Sequence, residues 1–246
     1  MVLSIIFLED KHTRLVIGTS RTVGSAKKFV RIASGFGGGE FRKTLRKVCT
    51  CQILKFSFLL LKYCKIRECY AVANAFTIIN TVDIGHECWG ADFNMNRLAI
   101  RVIQPPTSSH IVYLDPKGKL IDRVPIVDVY STYISLCDDT IKCTYWKSNT
   151  IHCYTLKGQP IWTFKDEKVL QKPVGIALDK HRNVYVAGYE TNNIVVLSPD
   201  GSNGREIVTK SDGLSGPCSL RFNIDHSELL ICNKRGPAFL FSLQYI

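Results

Sequence analysis

Residues 173–209 contain four short runs of β-branched and aliphatic side chains, separated by Asp, Asn, Gly and Pro. The runs lie at 174–179, 183–188, 193–197 and 205–209. Runs of this length and composition, bounded by such residues, predict four β-strands joined by tight turns. Four antiparallel strands in about 44 residues make one propeller blade. Because a single four-stranded sheet cannot bury both of its faces, the chain must supply stacked neighbours.

The pattern recurs, which predicts an all-β propeller. A third-strand run and its turn end at Gly118, Gly158 and Gly201, which are 40 and 43 residues apart. In two copies the turn, 115–118 and 198–201, has Asp or Ser first, Pro second and Gly fourth, as a type I turn prefers. First-strand runs recur at 88–93 and 218–223, and second-strand runs at 98–100 and 229–232.

Three stretches of the best copy carry a resemblance to a known family: Gly175-Ile176-Ala177-Leu178-Asp179, Asn183-Val184-Tyr185-Val186-Ala187 and Pro199-Asp200-Gly201. They resemble the NHL repeat, and more closely the C-terminal NHL propeller of tripartite-motif proteins. The resemblance implies a six-bladed β-propeller of the NHL or TolB-like type, with five blades as the alternative. The sequence departs from the family at the His-Arg dipeptide before the third strand, where it has Asn192-Asn193 and Asn149-Thr150.

The resemblance divides the chain into three parts. Residues 70–246 are expected to form NHL-type blades, and residues 1–34 an opening blade, since 7–18 align with 177–188. Strands from this opening blade are expected to complete the last one and close the ring, which removes exposed sheet edges. Residues 35–69 fit no blade and form a basic and apolar insertion.

Nearly all of the net charge lies around this insertion. Between Arg21 and Tyr70 there are twelve Lys or Arg and two Glu, which gives +10 of the +11 carried by the whole chain. Within it, 41–48 suits a short basic amphipathic helix. Three interpretations stay open: an irregular insertion, a basic tether for nucleic acid or acidic lipid, and a structured part of the second blade.

The sequence indicates a cytoplasmic protein with reduced cysteines. The apolar run 2–8 has no basic flank before it, so it is a poor secretion signal, and 53–61 is too short to span a membrane. Of the ten cysteines, five lie in or beside strand positions filled by Val or Ile in other copies: Cys137, Cys143, Cys153, Cys218 and Cys232. They are expected to be small buried apolar residues.

No catalytic motif is found in the sequence, so we expect a non-enzymatic protein without a cofactor. The cysteine pairs at 49 and 51 and at 64 and 69 lack the spacing of a zinc site. A metal-dependent, lactonase-like hydrolase is an alternative, because some six-bladed propellers hold a divalent metal over the central channel with acidic residues and Asn. The acidic candidates are Asp83, Glu87, Asp92 and Asp179, but a repeated turn or cap explains the last two.

The loops that join second and third strands gather on one rim of a propeller, which is a usual contact face for partners. Aligned by the repeat, they offer Tyr145-Trp146-Lys147 in one blade, Tyr189-Glu190 in the next and Lys234-Arg235 in the last; the predicted contact residues are Tyr145, Trp146, Lys147, Tyr189, Lys234 and Arg235. Exposed aromatic and basic side chains favour recognition of a partner protein; single-stranded RNA is the alternative. The resemblance implies a ubiquitination substrate as partner, although the chain has no RING, B-box or coiled coil of its own.

Overall fold

The computed structural model describes residues 5–8, 54–60, 65–72, 75–83, 87–94, 97–104, 108–115, 118–126, 131–137, 139–223, 226–234 and 238–242. The chain divides into two compact units, Met1–Cys88 and Trp89–Ile246. No helix in these described ranges is long and apolar enough to cross a membrane.

The described strands of the first unit form one four-stranded sheet. In order across the sheet they are β1 (Ile5–Leu8), β2 (Leu54–Leu60), β3 (Lys65–Val72) and β4 (Ala75–Asp83). β1 pairs in parallel with β2, and the other pairs are antiparallel. The apolar run at 53–61 therefore contributes a strand. The predicted helix at 41–48 and the rest of the opening blade, 9–34, lie outside the described residues.

Four further sheets follow one another along residues 87–242, as the repeat predicts. The first blade consists of β5 (Glu87–Phe93), β6 (Leu98–Gln104), β7 (Ser108–Leu114) and β8 (Leu120–Pro125). The second consists of β9 (Ser131–Leu136), β10 (Thr140–Tyr145), β11 (Thr150–Thr155) and β12 (Pro160–Phe164). The third consists of β13 (Pro173–Leu178), β14 (Val184–Gly188), β15 (Asn193–Leu197) and β16 (Gly204–Val208). The fourth has three described strands, β17 (Pro217–Phe222), β18 (Glu228–Asn233) and β19 (Ala238–Ser242).

This architecture confirms the all-β propeller class. Within the described residues the structure shows four blades where the resemblance implies six, and the three strands of the last blade are the ones that the sequence predicts. Strand order within each blade follows chain order, so each blade is an up-and-down sheet.

The turns between third and fourth strands form as predicted from their residues. Gly118, Gly158 and Gly201 each donate from the backbone N–H to the carbonyl oxygen three residues earlier, at 2.9 Å. Their φ angles are +82°, +81° and +71°, in the left-handed region that glycine adopts without steric cost. The fourth residue of the turn is therefore glycine in all three copies because of its backbone conformation.

The hydrophobic core lies between the blades. One buried cluster joins Ala99 and Ile111 of the first blade to Ile134 and Ile141 of the second. Corresponding clusters lie between the second and third blades and between the third and fourth. The fourth strands β8, β12 and β16 are largely exposed, which places them at the outside.

The prediction that five cysteines are small buried residues is confirmed for three of them, whereas Cys137 and Cys232 are only partly buried. Cys143, Cys153 and Cys218 are buried, and the six cysteines whose side chains are described form no disulfide with one another.

Candidate binding surface

In the second, third and fourth blades, the first residue after the second strand lies on one rim. Trp146 follows β10, Tyr189 follows β14 and Lys234 follows β18, so the three residues hold the same position in successive blades. The predicted alignment of Trp146 with Tyr189 is confirmed, and Lys234 is their counterpart in the fourth blade.

An asparagine in each of two such turns links its blade to the next. Asn149 and Asn192 have φ angles of +55° and +56°, a region that asparagine tolerates better than most residues. The Asn149 Oδ1 accepts from the Lys172 N–H at 2.8 Å, and the Asn192 Oδ1 accepts from the Gly216 N–H at 2.7 Å. At Asn192-Asn193 and Asn149-Thr150 this sequence departs from the His-Arg dipeptide of the NHL repeat that it resembles. In this chain, Asn149 and Asn192 instead connect neighbouring blades.

A second hydrogen bond completes each link. The Tyr189 N–H donates to the Lys172 carbonyl oxygen at 3.1 Å, and the Lys234 N–H donates to the Gly216 carbonyl oxygen at 2.8 Å. The residue before the proline of each first strand is thus held through both its N–H and its C=O. The loops between blades and the second-to-third turns therefore meet on the same rim, as predicted.

Lys172 adopts a backbone conformation that is unusual for its residue type. Its φ is +53°, almost the same as the +57° of the equivalent Gly216. Non-glycine residues in this region cost conformational energy and cluster at functional sites. The lysine side chain lies between two aromatic rings, with its Nζ 5.8 Å from the ring centroid of Trp146 and 5.9 Å from that of Tyr189.

These contacts extend into an alternating series, which we call the aromatic–lysine row: Trp146, Lys172, Tyr189 and Lys234. The Lys234 Nζ lies 5.1 Å from the Tyr189 ring centroid, within range of a cation–π interaction. Both aromatic residues are partly exposed and Lys234 is exposed. The row crosses three blades along one rim.

Further charged groups flank the row. The Lys147 Nζ lies 5.6 Å from the Trp146 ring centroid, and Lys172 forms an ion pair with the Glu190 carboxylate. Three lysines and one glutamate leave this surface with a net positive charge.

Of the predicted rim residues, Tyr145 requires a correction, because it belongs to the core. Its side chain is 0% exposed, and its hydroxyl lies 2.9 Å from the Tyr154 hydroxyl. Burial raises the pKa of Tyr145 far above its ordinary value. It is the last residue of β10 and faces the first blade, whereas Trp146 begins the turn. Arg235 lies outside the described residues.

Glu190 was among the residues that the alignment placed on this rim, whereas Lys172 and the two asparagines were not predicted as part of this surface. The alignment of Lys172 with Gly216, each directly before a proline, is the sequence signal that could have identified Lys172.

We expect replacement of Asn192 by alanine to lower the free energy of unfolding by about 1–2 kcal/mol, because the Gly216 N–H loses its acceptor. Urea denaturation followed by circular dichroism measures the change. Asn203→Ala, in an exposed third-to-fourth turn, is the matched control and is expected to change little. Equal stability of Asn192→Ala and the wild type would refute the role of this link.

Two of the four acidic residues proposed for a metal, Asp92 and Asp179, form structural hydrogen bonds. Asp179 accepts from the His181 N–H at 2.8 Å and the Asn183 N–H at 2.9 Å, so it caps its turn as predicted. Asp92 accepts from the Leu136 N–H at 2.8 Å and from the Arg221 Nη1 at 2.8 Å, so it joins first strands of three blades. Among the residues with described side chains, which do not include Asp83 and Glu87, no group of three metal-ligating residues occurs.

No protein-family model matches the sequence, and no curated protein does. Solved structures do match. A functionally unknown protein from Desulfotomaculum acetoxidans has a TM-score of 0.58 at 12% identity, over 79% of this chain and 63% of that one. The Dos1 propeller has a TM-score of 0.52 at 14% identity, over 96% of this chain and 66% of that one.

The chain spans less than two thirds of the length of each of these two structures. Likeness at this level of identity concerns the fold alone. The repeated sheets and these structural neighbours together show that the chain has a β-propeller fold.

Proposed function

We propose that this chain is a non-catalytic interaction module that binds a partner protein through the aromatic–lysine row. The observation that supports this most is the placement of Lys172 between Trp146 and Tyr189 in a left-handed backbone conformation. Nothing in the packing of the core requires a lysine at that position, since glycine fills the equivalent one in the next blade.

The chemistry of the row suits recognition. Partly exposed Trp and Tyr side chains supply large contact areas at low conformational cost, and such residues dominate binding energy at protein interfaces. The hydrogen bonds that the Asn149 and Asn192 side chains accept from backbone N–H groups fix the surrounding backbone before a partner binds, which reduces the entropy lost on binding. The positive charge favours an acidic segment of the partner.

The NHL-like residues extend this proposal. In a complete six-bladed ring of the tripartite-motif type, the propeller would select ubiquitination substrates in the cytoplasm. Residues 1–246 themselves contain no RING pattern, so in this proposal they supply substrate recognition and not ubiquitin transfer.

A double replacement, Trp146→Ala with Tyr189→Ala, is expected to weaken partner binding at least tenfold, because aromatic hot spots contribute about 2 kcal/mol each. Partners would be captured on the immobilised full chain and identified by mass spectrometry, and the affinity of a purified partner would then be measured. Leu120→Ala with Ile121→Ala, on the exposed outer strand of the first blade, is the matched control. A partner that binds both double variants equally well would contradict the assignment of this surface.

RNA is the second candidate ligand, because alternating aromatic rings and ammonium groups also suit stacked bases and phosphates. Single-stranded RNA binding would be measured at several salt concentrations. Binding that the double variant abolishes would favour RNA over protein. Binding that survives in the double variant and falls steeply with salt would assign it to the basic segment around 21–70.

A further inference from the structure

Lys142 is a buried lysine near the rim opposite the aromatic–lysine row. It is 3% exposed, and its Nζ donates to the Thr140 Oγ1 at 2.6 Å. An ammonium group has three protons to donate. No carboxylate oxygen of the described residues lies within ion-pair distance of this group, although burial of an uncompensated charge is costly.

The neighbours of Lys142 in its sheet do not supply the missing anion. Lys142 pairs with Cys153, and Cys153 with Trp162, so their side chains form a line across the face of the second blade. Burial raises the pKa of the Cys153 thiol, which leaves it protonated and neutral at pH 7. Cys153 therefore supplies no negative charge to the Lys142 ammonium.

A cavity of about 330 Å³ opens beside Lys142, between the second and third blades. Its lining includes Lys142, Cys153, Ile161, Trp162 and Arg182. The volume lies at the lower end of the range for small-molecule sites. Lys142 is thus a buried basic side chain in the lining of this cleft.

The apolar wall of the cleft is held in place. The Trp162 Nε1 donates to the Pro199 carbonyl oxygen at 3.1 Å. The ring packs against the turn of the third blade so closely that a Cβ added to Gly201 would lie 2.5 Å from it. The Trp162 ring is therefore already in position to contact a flat apolar group in the cleft.

The mouth of the cleft carries one basic and two acidic side chains. Arg182 and Asp139 lie 3.6 Å apart. Hydrogen bonds from the Ser198 hydroxyl and from Ser202 lower the pKa of Asp200 to about 2, so this carboxylate is ionised at pH 7. Two acidic groups at the mouth disfavour a polyanion, and one buried ammonium accommodates a single carboxylate.

We infer that this cleft binds a small monocarboxylate that bears an apolar or aromatic group. The carboxylate accepts hydrogen bonds from the Lys142 ammonium, and the apolar group lies against Trp162 and Ile161. The site is separate from the proposed protein-binding rim, so either can fail without the other.

The test is isothermal titration calorimetry of the full chain with phenylacetate, and with phenylacetamide as a neutral analogue of the same shape. Phenylacetate is expected to bind at least tenfold more tightly than the amide. Lys142→Met, which keeps the side-chain length and removes the charge, is expected to weaken phenylacetate binding at least tenfold. Lys157→Met, at an exposed position, is the matched control and is expected to bind as the wild type does.

Three results would overturn the inference: no phenylacetate binding at millimolar concentration, equal affinity for acid and amide, or inorganic phosphate bound as tightly as phenylacetate. If Lys142→Met does not fold, the comparison of acid with amide on the wild type still decides the charge requirement. Trp162→Leu then tests the apolar wall and is expected to weaken phenylacetate binding several-fold.

Discussion

Replacement of Leu170 by alanine should lower the free energy of unfolding by about 3 kcal/mol, as is usual when a fully buried leucine leaves a cavity. Leu170 is 0% exposed and belongs to the cluster that joins Ile151 of the second blade to Ile176 and Val195 of the third. Because it lies in the connection between two blades, its loss should loosen their docking. Urea denaturation followed by far-ultraviolet circular dichroism measures the change.

Two further variants provide a comparison for the loss of unfolding free energy expected in Leu170→Ala. Leu214→Ala, the equivalent residue between the third and fourth blades and 1% exposed, should give a loss of similar size. Ile161→Ala, at a position that is 51% exposed, should change the free energy of unfolding by less than about 0.5 kcal/mol. If Leu170→Ala were as mild as Ile161→Ala, the connection would not anchor the blades.

Replacement of Gly175 by alanine should destabilise the chain by about 3 kcal/mol, at the upper end of what overpacking costs. A Cβ at this position would lie 2.8 Å from the Ser219 Cα and 2.9 Å from the Cys218 carbonyl oxygen. Both are backbone atoms of the neighbouring first strand, so no side-chain rotation relieves the clash. The third and fourth blades would have to separate.

The same denaturation experiment applies to this variant. Arg205→Val is the control, because it adds a branched side chain to an exposed position on an outer strand, where substitutions usually have small effects. A Gly175→Ala protein with wild-type stability would show that these first strands do not approach so closely in solution.

The blades could be predicted from sequence because their signals are local. Four strand runs and the glycine of the third-to-fourth turn depend on side-chain type within a few residues, and these elements formed where the pattern placed them. The contacts between blades depend on residues 20 or more positions apart. The link from Asn192 to Gly216 therefore had no local signal.

Only part of the candidate surface could be predicted, because the repeat pattern gives the position of a residue along the chain but not the direction of its side chain. Alignment of the repeat placed Trp146 and Tyr189 at equivalent positions, but it could not tell that β10 extends to Tyr145 and turns that side chain into the core. Lys172 was missed because a positive φ at lysine has no signature in composition. Its backbone conformation could be inferred only by comparison with Gly216, which stands directly before the proline of the next blade.

Lys172 contacts residues of both the second and the third blade, so the position of its side chain depends on how these blades pack. Its backbone is held by Asn149 of the second blade and Tyr189 of the third, while its ammonium lies between an aromatic ring from each. In the proposed function, a partner that binds the Lys172 side chain would contact both the second and the third blade. The affinity for the partner would then depend on how tightly the two blades pack together. A bound partner would in turn increase the free energy needed to separate them.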